Sequence, residues 1–335
     1  MIAMDPAGYS PFGPAKWLVM SVGVLVTAAV AWWHSPPDVL ERVSARLWFA
    51  FVGWATVCAL VGLDRWYALL GTPERHAGVV LWTLCALAFA AGQWTGLAGG
   101  TRTVSYGLVV AGLLVSAYAI VELLWRAPIR LATDTARLGG PFGSAAFLGA
   151  ACCLLGPAVA GVAVQQDLPR RARVAAIVAA AGLVVALIGS GTRGAIAAVV
   201  LMALVVAITN RHRLPPWRSL LVPAACAIAL AVATLAWTSH NRASGALDRT
   251  TSVSARFDEW RIALRVVGQR PITGTGTEGY RVRFPTAVDA AYERAHGRAV
   301  LPDRAHDAPL DIAVTLGVPG LREAARRRWA RSTAA

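Results

Sequence analysis

Residues 104–125 read VSYGLVVAGLLVSAYAIVELLW, and Glu122 is their only charged side chain. As an α-helix rising about 1.5 Å per residue, this stretch is about 33 Å long, enough to cross the roughly 30 Å of hydrocarbon in a bilayer. A helix also satisfies its own backbone hydrogen bonds, which any segment surrounded by lipid must do. The stretch therefore predicts a transmembrane helix.

The same pattern recurs along the chain. Seven more apolar stretches occur, at residues 17–33, 47–63, 77–91, 145–164, 174–189, 195–209 and 220–237. The chain is 56% hydrophobic and 15% charged, whereas soluble domains carry about 25% charged residues. Tryptophans stand at or near the ends of several stretches, as interfacial aromatics do. We predict an all-α, polytopic transmembrane helix bundle of about eight spans.

The charge balance limits the class of partner. The formal net charge is +14, from 32 basic and 18 acidic residues. Since the chain is mostly membrane helix, it offers no soluble basic face for nucleic acid. Anionic lipid headgroups or diphosphates are the expected partners. The five cysteines lie inside apolar stretches and are predicted to be packing residues, not disulfides or metal ligands.

Two short arginine-rich loops predict the orientation. Residues 165–173 and 210–218 each contain three arginines, and the positive-inside rule places both loops in the cytoplasm. Counting spans outward from them, the turn at 189–194 and the long loop at 238–307 are extracytoplasmic. The residues on that face that could carry chemistry are Arg75, Arg137, Arg193, Arg256 and His306.

The sequence divides into four parts. A transmembrane bundle at 1–237 precedes the extracytoplasmic loop at 238–307, an incomplete membrane helix at 308–321 and an arginine-rich tail at 322–335. The helix at 308–321 is about 21 Å long, too short to cross, and arginines within the bilayer are costly. We therefore expect a chain truncated at its C-terminal end, and at its N-terminal end by one span. An amphipathic tail lying at the interface is the alternative.

The long loop contains a predicted amphipathic helix at residues 254–267, with Ser254 as the expected N-cap. Its apolar stripe would rest on the bundle or on the membrane surface; the stripe consists of Phe257, Trp260, Leu264 and Val267. Residues 274–279 then match G-x-G-x-x-G, as do residues 189–194. Neither match has the βαβ context of a dinucleotide site, so that function is rejected.

Several spaced motifs lie on the predicted extracytoplasmic face. They are His306-Asp307 followed after nine residues by Gly317-x-x-Gly320; Gly191-Thr192-Arg193-Gly194; Arg256-x-x-x-Trp260 with Pro271-x-x-Gly274-x-Gly276; Gly71-x-x-x-Arg75-x-x-Gly78; and Arg137 before a glycine-rich segment ending at Gly143. Taken in chain order, they resemble motifs of the O-antigen ligase and polymerase superfamily of membrane glycosyltransferases. Asp307, where the family usually has Asn, Ser or Gln, departs from the pattern, and so do Ser144 and Ala146, which stand where the family has asparagines.

The resemblance implies a reaction and a set of roles. A glycan would pass from an undecaprenyl-diphosphate-linked donor to a hydroxyl of a lipid, glycan or protein acceptor, at the outer face of the bacterial cytoplasmic membrane, without metal or cofactor. His306 would be the general base, with Asp307 or Asp303 orienting it. Guanidinium groups would hold the diphosphate; the candidates are Arg193, Arg256, Arg137 and Arg75. Gly317 and Gly320 would support the site.

Other interpretations remain open at this point. A transporter or flippase of lipid-linked glycans would usually place ionisable residues within its spans, and these spans are almost free of them. The truncated chain could instead be an inactive remnant. At single positions, His306 could only hydrogen-bond a loop, Arg193 could be an interfacial anchor, and Arg256 could only pair with Glu259 one helical turn away.

Overall fold

The computed structural model describes residues 13–34, 43–73, 75–125, 137–209, 253–297 and 302–332. Within these ranges the chain is helical and contains no strand, which confirms the all-α prediction. Six of the described helices are long and apolar enough to cross a membrane. The apolar stretch 220–237, the basic loop 210–218 and residues 1–12 lie outside the described residues, so the count of eight spans stays a prediction.

Twelve α-helices lie in the described ranges. In chain order they are α1 (Pro14–His34), α2 (Val43–Leu60), α3 (Arg65–Leu70), α4 (Val79–Leu97), α5 (Thr101–Trp125), α6 (Ala145–Ala163), α7 (Arg170–Ser190), α8 (Arg193–Thr209), α9 (Val253–Gln269), α10 (Tyr280–Ala287), α11 (Ala290–His296) and α12 (Ala308–Ser332). The candidate membrane spans are α1, α2 and α4 to α7, while the apolar part of α8 is shorter, at Arg193–Ala203. The chain is thus built as a multi-pass membrane protein.

The helices belong to two compact units. Residues 1–16 and 99–246 form the first, here called the bundle unit, which contains α5 to α8. Residues 17–98 and 247–335 form the second, here called the histidine unit because it contains His306. The histidine unit brings helices from both ends of the chain together.

Small residues allow close helix packing in the bundle unit. A Cβ atom added to Gly182 of α7 would lie 2.5 Å from the Cβ atom of Ser116 in α5. At the same crossing, the Ser116 hydroxyl donates to the carbonyl oxygen of Ala179 at 3.1 Å. Membrane helices associate through such small and hydroxyl-bearing residues, because lipid offers no hydrophobic driving force between helices.

The histidine unit contains two clusters of buried apolar residues. One lies where α2 packs against α4 and α12, around Phe51, Ala55 and Leu316. The other lies where α9 packs against α10 and α12, around Ile262 and Phe284. Since α12 contributes to both clusters, it joins the N-terminal helices of this unit to the C-terminal ones.

Helix α9 forms where the sequence predicts it, but only part of its predicted stripe is packed. Phe257 and Leu264 are 60% and 62% exposed, whereas the fully buried face carries Ile262, Ala263 and Val266. The alanine side of the helix permits a closer approach of α10 and α12 than the large side chains would. The membrane surface therefore remains the expected neighbour of Phe257 and Leu264.

Helix α12 is broken at Gly317, where the backbone has φ 71° and ψ −177°. The break frees carbonyl groups that would otherwise accept from N–H groups of the following turn. The Val314 and Thr315 oxygens accept from the N–H groups of Thr275 and Gly276 at 2.8 and 3.0 Å. The Leu316 oxygen accepts from Trp54 Nε1 at 2.8 Å. The glycine break thus connects α12 both to the glycine turn and to α2.

Candidate functional site

A short loop presents His306 at the start of α12. Trp260 of α9 donates from Nε1 to the Ala305 carbonyl oxygen at 3.0 Å, and the Ala305 N–H donates to Asp311 Oδ1 at 3.3 Å. Arg304 donates to Glu278 Oε1 at 2.8 Å. The backbone on the N-terminal side of His306 is therefore fixed from three directions.

Backbone strain concentrates around this loop. Among the described residues, three that are not glycine have positive φ: His76 at 49°, Glu278 at 63° and His306 at 54°. All three lie in the histidine unit; His76 follows Arg75, and Glu278 binds Arg304. Such residues are uncommon outside glycine and cluster at functional sites, where surrounding contacts enforce them.

Two arginine–carboxylate pairs flank His306. Arg256 binds Glu259 through Nη1 and Oε2 at 2.9 Å, and Arg75 binds Asp303 through Nη1 and Oδ2 at 2.5 Å. The structure therefore brings together Arg75, Arg256 and His306 from three distant parts of the chain. It also contains the Arg256–Glu259 pair that the sequence left as an alternative role for Arg256.

The same charges act on the imidazole. Partial burial is the largest cause that lowers the pKa of His306 below 6.5, and the positive charge of Arg256 lowers it further. Arg75 acts in the same direction, against the opposing charges of Glu259 and Asp303. The residue as a whole is exposed, and the lowered pKa of His306 favours the neutral imidazole, the form that can accept a proton.

Asp307 and Asp303 are engaged elsewhere than on His306. Asp307 Oδ1 accepts from the Leu310 N–H at 3.0 Å, the bond of an N-cap residue at the start of α12. Asp303 binds Arg75. Of the two carboxylates expected to orient the imidazole, neither makes a hydrogen bond to it within the described part of the chain.

Sequence reasoning missed the groups that hold the loop: Trp260, Glu278, Arg304 and Asp311. Trp260 belongs to the apolar stripe and to the Arg256-x-x-x-Trp260 motif, but neither pattern predicts that its indole N–H donates to a residue 45 positions away. Asp311 is one helical turn after Asp307, which offered a signal: a carboxylate inside an apolar helix needs a partner. Glu278 gave no signal beyond its place in a glycine turn.

The glycines of two motifs serve the close approach of backbones. A Cβ atom on Gly317 would lie 2.0 Å from the Ile272 carbonyl oxygen, and one on Gly274 would lie 2.5 Å from the Thr315 carbonyl carbon. Both residues have positive φ. These motifs therefore make the interlock between α12 and the turn at 271–279, consistent with a supporting role.

Arg137 and Arg193 belong to the bundle unit. Arg137 donates from Nε to the Ser190 carbonyl oxygen at 2.8 Å and from Nη2 to Thr192 Oγ1 at 3.2 Å. It thus places a cation at the C-terminal end of α7, where the helix dipole favours one. Arg193 is the first residue of α8 and is exposed.

A buried carboxylate holds the segment that carries Arg137. Glu122 of α5 accepts from the N–H groups of Gly139 and Gly140 at 3.1 and 2.7 Å, one on each carboxylate oxygen. The Leu138 N–H donates to the Gly189 carbonyl oxygen at 3.1 Å. The segment therefore runs from Glu122 to the end of α7, next to the turn that precedes Arg193.

No group of three histidine, cysteine or acidic side chains in the described ranges converges as metal ligands would. Both matches to G-x-G-x-x-G lie between helices here, without a neighbouring strand. The glycine turns are accordingly explained by backbone packing, as at Gly274, and by the left-handed C-cap of α7 at Gly191, where φ is 58°.

Comparison with known proteins gives one match. Residues 175–322, a little under half of the chain, match the family model described as O-antigen ligase. No curated protein and no solved structure is detectably similar to the chain. The matched segment runs from α7 to just beyond the break in α12 and contains Arg193, Arg256 and His306. Together with its apolar helices, this match supports a membrane protein similar, over residues 175–322, to the O-antigen ligase family.

Proposed function

We propose that the chain is a membrane glycosyltransferase that moves a glycan from an undecaprenyl-diphosphate-linked donor to an acceptor hydroxyl in cell-surface polysaccharide assembly. The observation that carries the proposal is the grouping of His306 with Arg75 and Arg256, whose charges act on its ring. The reaction is proposed to take place at the extracytoplasmic face of the bacterial cytoplasmic membrane.

In this reaction His306 is the general base. The acceptor oxygen forms a bond to the anomeric carbon of the donor glycan, and the bond from that carbon to the diphosphate oxygen breaks. The acceptor proton passes to the imidazole, and undecaprenyl diphosphate leaves. A base with a lowered pKa is unprotonated at neutral pH, which supports this role for His306.

Arg256 and Arg75 are the proposed cations for the leaving diphosphate. A planar guanidinium pairs with phosphate oxygens through two N–H groups and keeps its charge. Each is paired with a carboxylate in the free protein, so its side chain is already oriented. A diphosphate carries more charge than a single carboxylate and can compete for the free N–H groups.

Binding of the diphosphate would also activate the base. Arg256 and Arg75 lower the pKa of His306 in the free protein. An anion bound to them compensates their charge, so the pKa of His306 rises when the donor is present. The imidazole thus becomes a stronger base when there is a leaving group to expel.

Arg193 is a further proposed contact for the diphosphate, and Arg137 is proposed to support it. The exposed position of Arg193 at the first residue of α8 combines a cation with the N-terminal end of a helix, and both attract anions. Arg137 is already bonded to the end of α7, so its proposed contribution is to hold the turn that carries Arg193.

The experiment separates chemistry from binding. Membranes carrying the chain receive a radiolabelled undecaprenyl-diphosphate glycan, and loss of label from the lipid-extractable donor measures transfer. We expect His306→Ala to slow transfer by about 100-fold or more while binding of inorganic pyrophosphate persists. Arg256→Ala should weaken both glycan transfer and pyrophosphate binding. Arg193→Ala should abolish transfer while membrane insertion persists.

His296→Ala is the matched control, because His296 lies in the same unit and pairs with Asp258 at 2.9 Å. It should leave transfer and pyrophosphate binding unchanged. Unchanged transfer by His306→Ala contradicts the proposed base. Pyrophosphate binding that depends on Arg256, in a chain that transfers nothing, identifies the inactive remnant instead.

A further inference from the structure

Arg75 lies in a turn whose backbone is tightly held. The N–H groups of Arg75 and His76 both donate to the carbonyl oxygen of Thr72, at 3.0 and 2.7 Å. A Cβ atom added to Gly71 would lie 2.3 Å from the carbonyl carbon of His76, so the two ends of the turn touch each other. The guanidinium of Arg75 extends from this turn to Asp303.

His76 has a strained backbone conformation in this turn. Its φ of 49° lies in the left-handed region, which histidine adopts more often than most residues but still at a cost. Such a conformation persists only where the surrounding contacts enforce it. Because Arg75 directly precedes His76, relaxation of His76 to a negative φ would turn Arg75 away from Asp303.

The side chain of His76 is held from another part of the histidine unit. The ring of Trp17, near the start of α1, lies against the imidazole of His76 with the centroids 4.8 Å apart and the planes tilted by 33°. Favourable aromatic pairs have centroid separations of roughly 4.5–7 Å. The indole nitrogen of Trp17 is buried, so that edge of the ring is packed against protein.

Trp17 differs from its neighbours on α1. Leu18, Val22 and Val26 are each more than half exposed, as expected for a membrane helix that faces lipid. Trp17 is only partly exposed. An interfacial tryptophan needs nothing but lipid beside it, so the contact with His76 is not explained by anchoring in the membrane alone.

The position of Arg75 matters for the imidazole of the candidate site. Burial lowers the pKa of His306 most, and the charges of Arg256 and Arg75 lower it further. Asp303, the partner of Arg75, acts in the opposite direction. A displacement of Arg75 would therefore change both the field at His306 and the place at which a phosphate oxygen can bind.

We propose that Trp17 is a positioning residue, which stacks on His76 and so holds the turn that directs Arg75 to Asp303 and to a diphosphate beside His306. The inference deepens the proposed function, on which it rests for the identity of the diphosphate. Trp17 acts through Arg75 and does not itself contact the substrate.

A double-mutant cycle on the full chain in detergent tests this, with inorganic pyrophosphate as the probe and calorimetry as the measurement. We expect Trp17→Leu to weaken pyrophosphate binding by about threefold to tenfold, the effect of one aromatic pair. Trp17→Phe keeps a ring against His76 and should restore most of the affinity. In a chain that already carries Arg75→Ala, Trp17→Leu should have no further effect, because the two residues act as a unit.

NMR titration of His306 gives a second readout that needs no ligand. Arg75→Ala should raise the pKa of His306, since Arg75 lowers it in the parent chain. Trp17→Leu should raise the pKa by a smaller amount. The matched control is Trp32→Leu, which removes a 76% exposed tryptophan near the other end of α1. It should change neither the pKa of His306 nor the affinity for pyrophosphate.

Two outcomes overturn the inference. One is that Trp17→Leu changes neither the affinity nor the pKa of His306. The other is an equal loss of affinity on Trp17→Leu in the parent and in Arg75→Ala, which would show that Trp17 does not act through Arg75. In either case transfer that still requires His306 leaves the proposed function standing. Conversely, a raised pKa in Trp17→Leu, with pyrophosphate binding that Arg75→Ala leaves unchanged, retains the positioning and contradicts the diphosphate role of Arg75.

Discussion

At the scale of the residue, His306 differs from an ordinary loop histidine in the charges that surround its ring. Its lowered pKa means that the folded protein takes up a proton at lower pH than the unfolded chain does. As pH falls through 6.5, the unfolded state binds the proton first, so the free energy of unfolding decreases until the folded pKa is reached. Above that window, His306 makes no pH-dependent contribution.

Removal of Arg256 should show directly how its charge affects the pKa of His306. Arg256→Ala deletes a cation that lowers the pKa of His306 and leaves Glu259, which raises it, without its partner. We predict that the pKa of His306 rises in this variant, as measured by NMR titration of the imidazole. Arg294→Ala is the control, because Arg294 bonds within α11 and is not among the charges acting on the ring. A pKa that stays constant in Arg256→Ala would show that the two groups do not interact.

Asp307 gives a second residue-scale prediction, because its carboxylate caps α12. Asp307→Ala should lower the free energy of unfolding by about 1 kcal/mol. Asp307→Ser should keep most of the stabilisation that the cap provides, since serine is also a good N-cap. Thermal unfolding of the solubilised protein measures both. Both variants should leave the pKa of His306 close to its parent value; a large shift in Asp307→Ser would restore Asp307 as the partner of the imidazole.

At the scale of the element, the break in α12 connects it to two other parts of the histidine unit. Gly317→Ala would combine a positive φ with a Cβ atom 2.0 Å from the Ile272 carbonyl oxygen. We predict a loss of about 1–3 kcal/mol from the positive-φ conformation alone, with further loss from the clash, seen as a lowered Tm.

Gly268→Ala is the control for that substitution. Gly268 lies in α9, and an added Cβ atom would meet nothing within 4 Å. Alanine is the better helix former by up to about 1 kcal/mol, so this variant should be neutral or slightly stabilised. Equal Tm values for the Gly317 and Gly268 variants would mean that the interlock contributes little to stability.

In the bundle unit, Glu122 connects α5 to the segment that carries Arg137. Glu122→Gln replaces one acceptor oxygen with an NH₂ group that faces a backbone donor. We predict a loss of about 1–3 kcal/mol, as for a buried unsatisfied group. The control is Asp167→Asn, whose ion pair with Arg102 is long and more than half exposed and should contribute below about 1 kcal/mol. Similar Tm shifts in both variants would contradict a special role for Glu122.

These elements show what the sequence could and could not predict. Helix α5 follows from its unbroken apolar run, because lipid requires a self-satisfied backbone wherever such a run occurs. Helix α4 extends past the predicted end at residue 91 to Leu97, since Gln93 finds a partner in Ser44 at 2.9 Å that no local pattern reveals.

The candidate site likewise contains positions that the sequence predicts and contacts that it does not. The positions of His306 and Arg256 were accessible through spaced motifs. Their support was not, because the bond from Trp260 to Ala305 joins elements that meet only in the folded protein. Likewise, the apolar stripe of α9 gave the helix correctly, but the burial of Ala263 in place of Leu264 depends on which helices pack against it.

At the scale of the whole molecule, the proposed chemistry requires a particular orientation in the membrane. Helix α7 begins at Arg170, with two further arginines in its first turn, and the positive-inside rule places this end in the cytoplasm. By the same prediction, the opposite end of α7 and the turn before Arg193 face the extracytoplasmic side. The donor is proposed to be used on that face, so His306 must be there too.

Cysteine labelling in intact cells tests this orientation. Ala308 and Gln166 are both exposed, and they lie next to His306 and in the arginine-rich loop before α7, respectively. We predict that a membrane-impermeant maleimide labels Ala308→Cys in intact cells and labels Gln166→Cys only after the cells are opened. The parent chain is the blank, since its four described cysteines are buried or partly buried. Labelling of Gln166→Cys but not Ala308→Cys in intact cells would put the imidazole in the cytosol, where an outward-facing lipid-linked glycan cannot reach it.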